Sequence, residues 1–363
     1  MNFLIFGAGA VGSYLGGYLS HAGHDVTLIT RSGFERINEH GLNILLPNQR
    51  GRSRISAFPQ AFPSYRQAIN HSAETGFAFD YILLTMKSYD VESAVNEIVA
   101  YSTDSTQWPH MITMQNGIDA ELPVLAQFGK NNVTIGTLTT PVSFNGSMNV
   151  VEERADRGVA FSSPNGSRDF RKVAGLFKAA GLNTVGVRNY HSLKWSKALI
   201  NTVGNATSAI LNGPPGKLYG NNRVYQLEVR MLNEILAVMK AKKIKVINLP
   251  GSSAKRLSQA VKWLPKGVLQ PILKRQVSKG RGDKMPSFQI DLANDKGKSE
   301  VIYHNGAVAR HGAKAGVATP INWALNRILL DITNGKTEWD RFKGQPKVLT
   351  AEISRRIKAA KRR

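Results

Sequence analysis

Two groups of residues in this chain combine type and spacing in ways that could do chemistry. Gly7, Gly9 and Gly12, in the stretch FGAGAVGSYL (residues 6–15), have G-x-G-x-x-G spacing. In a strand–turn–helix context the first glycine permits a tight turn, the second lets the backbone approach a pyrophosphate, and the third lets helix and strand pack closely. The motif alone is weak, because a glycine-rich turn without a ligand has the same spelling. Its surroundings support it: the apolar run NFLIF (2–6) precedes it, the helix-like AVGSYLGGYLSHAG follows to about Gly23, and DVTLIT (25–30) comes next. That is a βαβ unit whose helix N-terminus offers unpaired N–H groups and a positive dipole end to phosphates. Gly7, Ala8, Gly9, Ala10, Val11 and Gly12 are thus the expected dinucleotide-binding residues.

The end of the second strand selects the cofactor. An NAD site usually places a carboxylate there for the ribose 2′-OH. This chain has ITRSG, with Asp25 at the wrong end of the strand. Arg31, beside Ser32, can pair with a 2′-phosphate through its guanidinium fork, which favours NADP(H). The alternative is an arginine that merely ends a strand on a basic surface.

The second group is Lys197, Asn201 and Asn205, spaced i, i+4, i+8 in HSLKWSKALINTVGNATSAI (191–210). On a continuous helix they form one polar stripe, drifting about 40° per step, with Leu199, Ile200 and Val203 off it. A hydride acceptor needs a proton source for the oxygen that gains negative charge. An ammonium group can stabilise that charge and deliver the proton. The asparagines can hydrogen-bond a substrate while leaving the lysine its charge. His191 and His304 are the rival acids, each without comparable company.

These residues need elements to position them. NFLIF, DVTLIT, YILLTM (81–86), MITMQ (111–115) and VTIG (133–136) are apolar runs with polar or glycine-rich carboxyl ends. Runs of this kind suit a parallel sheet covered on both faces, whose ligands bind outside the carboxyl ends of the strands. SMNVVEE (147–153) and GVAFSS (158–163) read as a hairpin, and LNTVGV (182–187) as the last strand before helical periodicity takes over near His191. With 363 residues, two domains are expected. The expected division is a Rossmann-type α/β, doubly wound domain over 1–188, an all-α domain over 189–335, and a basic helix or tail over 336–363.

Composition narrows the classes further. There is no cysteine, so disulfides and thiolate–metal sites are excluded. No apolar run is long enough to span a bilayer, and the first residues read as a strand; the expectation is a cytoplasmic protein without stable membrane insertion. Charge is strongly basic, with 48 Lys+Arg against 25 Asp+Glu, formally +23. Thirteen basic residues and one acid lie between Lys240 and Lys284, and the last ten residues, SRRIKAAKRR, add six more. A solvated basic surface is the preferred reading, with no nucleic-acid partner expected, since no basic–aromatic binding motif accompanies the charge. SSAKRLSQAVKWL (252–264) forms a basic amphipathic helix with Leu257, Ala260, Val261 and Leu264 on one face. A lid or domain-packing element is preferred over a membrane-surface helix.

Several motifs occur in a familiar order: GAGAVG, MK (86–87), QNG (115–117), WSKALIN…N (195–205) and PSFQID…SEVIYHNG (286–306). In this the chain resembles the ketopantoate reductase family (2-dehydropantoate 2-reductases) from residue 1 to about 330. The resemblance implies a Rossmann-type domain, a helical domain, a cleft between them, and NADPH-dependent reduction of a 2-oxo acid to a 2-hydroxy acid in pantothenate biosynthesis. It implies that Lys197 is the general acid, that Asn201 and Asn205 contact substrate, that Ser287 meets the substrate carboxylate and that Glu300 meets its hydroxyl end. Asn116 would lie where cofactor and substrate meet, Lys87 on the cofactor side, and Arg31 at the 2′-phosphate. Without it, Ser299 and Glu300 read as the cap and first residue of a helix, and both readings can hold. The chain departs from the family between Leu249 and Pro286, where it is longer and more basic; Arg281 and Lys284 there could pair with an anionic group that pantoate does not carry.

The leading reading is a ketopantoate-type reductase acting on a small 2-oxo acid, as a monomer or homodimer. The rivals are the same chemistry on another carbonyl substrate and a non-catalytic NADPH sensor or nucleic-acid-associated protein. If Arg31 reads the 2′-phosphate, Arg31→Ala weakens NADPH binding at least about tenfold more than NADH binding in a fluorescence titration; equal weakening of both contradicts it.

Overall fold

A computed structural model describes residues 1–47, 54–101, 108–145, 149–167, 169–281 and 285–362. The chain divides into two compact units. The first comprises 1–116, 120–194 and 249–252; the second comprises 117–119, 195–248 and 253–363.

The first unit is built on an eight-stranded sheet. Its strands are β1 (Asn2–Phe6), β2 (Asp25–Ile29), β5 (Gln60–Phe62), β6 (Tyr81–Leu84), β7 (His110–Thr113), β8 (Val133–Leu138), β11 (Val159–Ser162) and β12 (Thr184–Gly186). Their order is β12-β11-β8-β7-β6-β1-β2-β5. All neighbours are parallel except β11, which runs antiparallel to β8. Alternation along the strands splits the core in two. Phe3, Ile5, Tyr81 and Leu83 enter one apolar cluster, while Leu4, Ile82 and Leu84 enter another. Successive residues of a strand point to opposite faces, so a strand apolar throughout must be covered on both.

A second sheet, in the order β4-β3-β10-β9, consists of β3 (Leu42–Leu45), β4 (Arg54–Ala57), β9 (Val142–Asn145) and β10 (Asn149–Glu152). It corrects the expected hairpin. The run 147–153, of which 147 and 148 lie outside the described residues, contributes β10, and the run 158–163 contributes β11, in the other sheet. Burial explains the separation. β11 is buried at every residue and suits the interior of the large sheet, whereas β10 alternates half-buried and buried. Gly158 lets β11 lie against the 183 backbone, since a Cβ there would collide with the Asn183 carbonyl. Strands β3, β4, β5 and β9 are absent from the sequence reading; each is three or four residues long, too short for a clear period.

The second unit is helical. One core cluster gathers Trp195, Leu199, Met231, Leu232, Ile328 and Leu329. Residues 336–363 belong to this unit, with Phe342, Leu349 and Ile353 in the same core. The apolar face of the helix Ala254–Trp263 is used internally as well: Val261 joins the core, and Leu257, Ala260 and Leu264 pack against it. Among the described residues no helix is long and apolar enough to cross a membrane.

A buried carboxylate on the last helix, Pro346–Lys361, gathers two arginines of that helix, one of which ties it to Asp331. Glu352 is 3% exposed and accepts from Arg355 Nη2 and Arg356 Nε, both at 2.7 Å; Arg356 also reaches Asp331 at 2.6 Å. The Arg355 hydrogen bonds, with help from Arg356 and against the cost of burial, lower the Glu352 pKa from 4.5 to about 2. A carboxylate lowered in the folded state stabilises it fully above its unfolded pKa and loses that contribution as pH falls through the folded value. Glu352→Gln is expected to cost about 2 kcal/mol at neutral pH, allowing for solvent screening of Arg355. In denaturation curves the gap from wild type should be constant above about pH 5 and close between 4.5 and about 2.

Candidate active site

In the first unit, the sequence-predicted residues follow the carboxyl ends of four adjacent strands, β2, β1, β6 and β7. The sheet thereby sets Arg31, the glycine turn, Lys87 and Asn116 along one edge, in that order. The three glycines meet different demands. Gly7 has φ +101°, and a Cβ on it would sit 2.8 Å from the Met86 nitrogen. A Cβ on Gly12 would meet the Gly7 carbonyl and come within 2.6 Å of Thr85 Oγ1, which itself donates to the Gly7 carbonyl at 2.7 Å. Gly9 differs: among the described residues nothing lies within 4 Å of its would-be Cβ. The fold requires Gly7 and Gly12, whereas bareness at Gly9 fits a ligand that must come close to the backbone.

The N–H groups are divided as well. Those of Gly7, Ala8 and Gly9 are used within the turn: the first two donate to the Ile29 carbonyl at 3.3 and 2.8 Å, and Gly9 donates to the Gly7 carbonyl at 2.8 Å. The helix Ala10–His21 has no side-chain cap, and its opening N–H groups, from Ala10, Val11 and Gly12, have no partner within the helix. Together with exposed Gly9, this is a cradle of the right chemistry for a pyrophosphate. Arg31 is exposed just past β2, where Thr30 Oγ1 bonds the Ser32 carbonyl at 2.9 Å and shapes the turn.

Lys87 is half-buried and Asn116 exposed. Their loops are tied together: Ser88 Oγ donates to the Asn116 carbonyl at 2.9 Å, and Gln115 Nε2 donates to the Leu84 carbonyl at 2.9 Å. Lys194 Nζ donates to the Gln115 carbonyl at 2.8 Å and lies 3.2 Å from Glu121. Lys194 and Glu121 are each 3% exposed, so the ion pair is buried and holds the loop that presents Asn116. Sequence reasoning missed both residues. They are far apart in sequence and carry no motif, and a buried pair looks like two surface charges until the chain folds.

In the second unit, Lys197 and Asn201 lie one turn apart on the helix Tyr190–Thr202, both half-buried, with Leu193, Trp195, Ala198 and Leu199 buried around them. The expected continuous stripe stops there. The helix ends at Thr202, Gly204 takes φ +62°, and Asn205 stands at the start of a new helix, Ala206–Leu211. Glu228 accounts for the break. It is fully buried and accepts from the Gly204 N–H at 2.9 Å, Thr207 Oγ1 at 2.6 Å and Tyr219 Oη at 2.7 Å. Nothing in the local sequence signals this carboxylate; its partners are 9 to 24 residues away.

Asn205 is 4% exposed, and its Oδ1 accepts from the Phe288 N–H at 3.4 Å. It thereby joins the start of its own helix to the start of Ser287–Ala293, bringing Asn205 and exposed Ser287 to the same locality. Glu300 is 4% exposed and opens the 3₁₀ turn Glu300–Tyr303, with Ser299 as its side-chain cap. Among the rival acids, His191 is exposed and His304 is buried 5.2 Å from the Phe288 ring. Lys284 and the Arg281 side chain lie outside the described residues.

Two family models cover most of the chain: ketopantoate reductase PanE/ApbA over residues 3–165, and its C-terminal counterpart over 189–333. The chain belongs to the ketopantoate reductase family. A 2-dehydropantoate 2-reductase of Pyrococcus horikoshii is 33% identical over 241 residues, covering 64% of this chain and 72% of the relative. A second, from Aquifex aeolicus, is 24% identical over 335 residues, or 91% and 96%. Among solved structures, a ketopantoate reductase from Ralstonia eutropha JMP134 superposes with TM-score 0.73 at 23% identity, covering 93% and 99%. D-mandelate dehydrogenase, solved with NADH and anilino(oxo)acetate, gives 0.71 at 22%, covering 92% and 99%. Both structural likenesses are likenesses of fold.

The different demands on the glycines give a paired test. Gly9→Ala should melt within about 1 °C of wild type, since its Cβ enters open space, yet lose at least about tenfold in nucleotide affinity. Gly12→Ala should lose both stability and binding. Unchanged nucleotide affinity in Gly9→Ala would contradict the cradle.

Proposed function

We propose that this chain is an NADPH-dependent reductase of a 2-oxo acid, with 2-dehydropantoate as substrate and pantoate as product. Membership of the ketopantoate reductase family and relatives named 2-dehydropantoate 2-reductase support the reaction class. The observation that carries the reading is the Lys197–Asn201 pair, half-buried on a helix where Leu193, Trp195, Ala198 and Leu199 are buried. The helix packs those side chains inward and keeps a lysine and an asparagine in line beside them.

In this reading the opening N–H groups of the helix Ala10–His21 hold the cofactor's pyrophosphate, Arg31 holds its 2′-phosphate, and Lys87 and Asn116 hold the portion nearer the reaction. Bound NADPH supplies the hydride. Lys197 donates its Nζ proton to the carbonyl oxygen as that oxygen gains charge, and Asn201 orients the oxygen. Ser287 receives the substrate carboxylate, Asn205 keeps the Ser287 segment in place, and Glu300 accepts from the substrate hydroxyl. The cytoplasm is the proposed compartment, and monomer or homodimer the proposed state.

A second reading keeps the chemistry and changes the acid. A 2-dehydropantoate reductase and D-mandelate dehydrogenase share this fold, so the fold does not choose the substrate. NADPH oxidation measured against a panel of 2-oxo acids separates the two: 2-dehydropantoate should give the highest kcat/KM. Lys197→Ala should lower kcat by about 10²- to 10⁴-fold while NADPH affinity stays within about twofold. Near-normal turnover in that variant would remove the lysine from its role.

A further inference from the structure

Among the described residues of the second unit four large apolar side chains are exposed: Ile290, and three that lie close together in sequence. Trp263 is 71% exposed, Val268 49% and Ile272 40%. Trp263 ends the helix Ala254–Trp263, and Val268 and Ile272 lie one turn apart on the next helix, Lys266–Arg281. The core does not need them. It takes Leu269 and Leu273, which lie about 100° round the helix from Val268 and Ile272. Each helix thus carries an exposed apolar set apart from its buried face, Trp263 on the first and Val268 with Ile272 on the second.

Cations accompany these residues. Lys255, Arg256, Lys262 and Arg275 are exposed, and Lys262 Nζ stands 4.6 Å from the Trp263 ring centroid. From Lys240 to Val277 the sequence contains no Asp or Glu. Exposed apolar groups framed by one sign of charge mark an interaction surface and state the charge of its partner.

We propose that these residues dock the protein peripherally on an anionic lipid surface. Lys and Arg meet the headgroups, and Trp263, Val268 and Ile272 enter the boundary between headgroups and acyl chains. Such a boundary favours tryptophan, whose ring is apolar with a polar N–H, and accepts aliphatic side chains beside it. A single-stranded nucleic acid matches the charge but not the apolar set, since bases stack on Trp263 and find nothing to stack on in Val268 or Ile272. No helix among the described residues spans a bilayer, so attachment is peripheral and reversed by salt.

Sedimentation of the purified full-length protein with vesicles tests this. Phosphatidylcholine vesicles containing about one-third phosphatidylserine should bind it at low salt and release it at about 0.3 M salt, and pure phosphatidylcholine should not bind. The double variant Trp263→Ser, Ile272→Ser alters exposed positions, so its melting temperature should match wild type while its vesicle affinity falls at least about tenfold. The triple variant Lys255→Glu, Arg256→Glu, Lys262→Glu should not bind. Vesicle binding untouched by the double variant would overturn the proposal, as would equal binding to neutral vesicles or tighter binding of single-stranded DNA at the same salt.

Discussion

A parallel sheet apolar on both faces leaves its polar chemistry few places to go. β1 sends Phe3 and Ile5 into one core cluster and Leu4 into the other, and β6 divides its residues the same way. Groups that need water or a ligand are thereby confined to the strand ends. The carboxyl ends of β2, β1, β6 and β7 lie side by side, which makes one edge out of residues scattered from 7 to 116. The glycine turn completes that edge. Gly7 and Gly12 let the turn press against Met86 and Thr85, while Gly9 leaves the edge bare.

The second unit depends on buried and half-buried carboxylates that hold its helices in place. Glu228 holds a helix break open at Gly204, and Glu234 accepts the N–H groups of Ile321 and Asn322, both at 2.9 Å, at the start of the helix Pro320–Thr333. Glu352, on the final helix, holds Arg356 of the same helix, which in turn pairs with Asp331 of the helix Pro320–Thr333. Glu228 and Glu234 satisfy donors that burial would otherwise strand. Burial itself pulls the other way, and it raises the pKa of Glu234 despite those hydrogen bonds. The break at Gly204 matters most for the site, because it turns Asn205 from a third member of a polar stripe into a link to the Phe288 backbone.

Much of this was legible in the chain itself. β1, β2, β6, β7 and β8 stand where long apolar runs meet glycine or polar ends, and the helical character begins at Tyr190. The strands that escaped are the short ones of the small sheet and β5, which offer too few residues for a period. The expected hairpin failed because adjacency in sequence favours pairing, whereas full burial drew β11 away to β8 and β12. The helix Ala254–Trp263 turns inward the face its periodicity predicts, whereas nothing local in the sequence separates exposed Trp263, Val268 and Ile272 from core residues.

Sequence alone determined what acts locally: the strand–glycine–helix unit, the arginine after the second strand, the lysine and asparagine one turn apart, the missing cysteine and the excess of cations. These follow from periodicity, backbone sterics and charge, which a short window contains in full. Tertiary structure decided what depends on distant partners. It set which strand β11 joins, buried Lys194 against Glu121, and stopped the lysine helix at Thr202 through a carboxylate 24 residues beyond Gly204. Burial and hydrogen-bond pairing are properties of the folded chain, so the residues that do this work look like ordinary charges in the sequence.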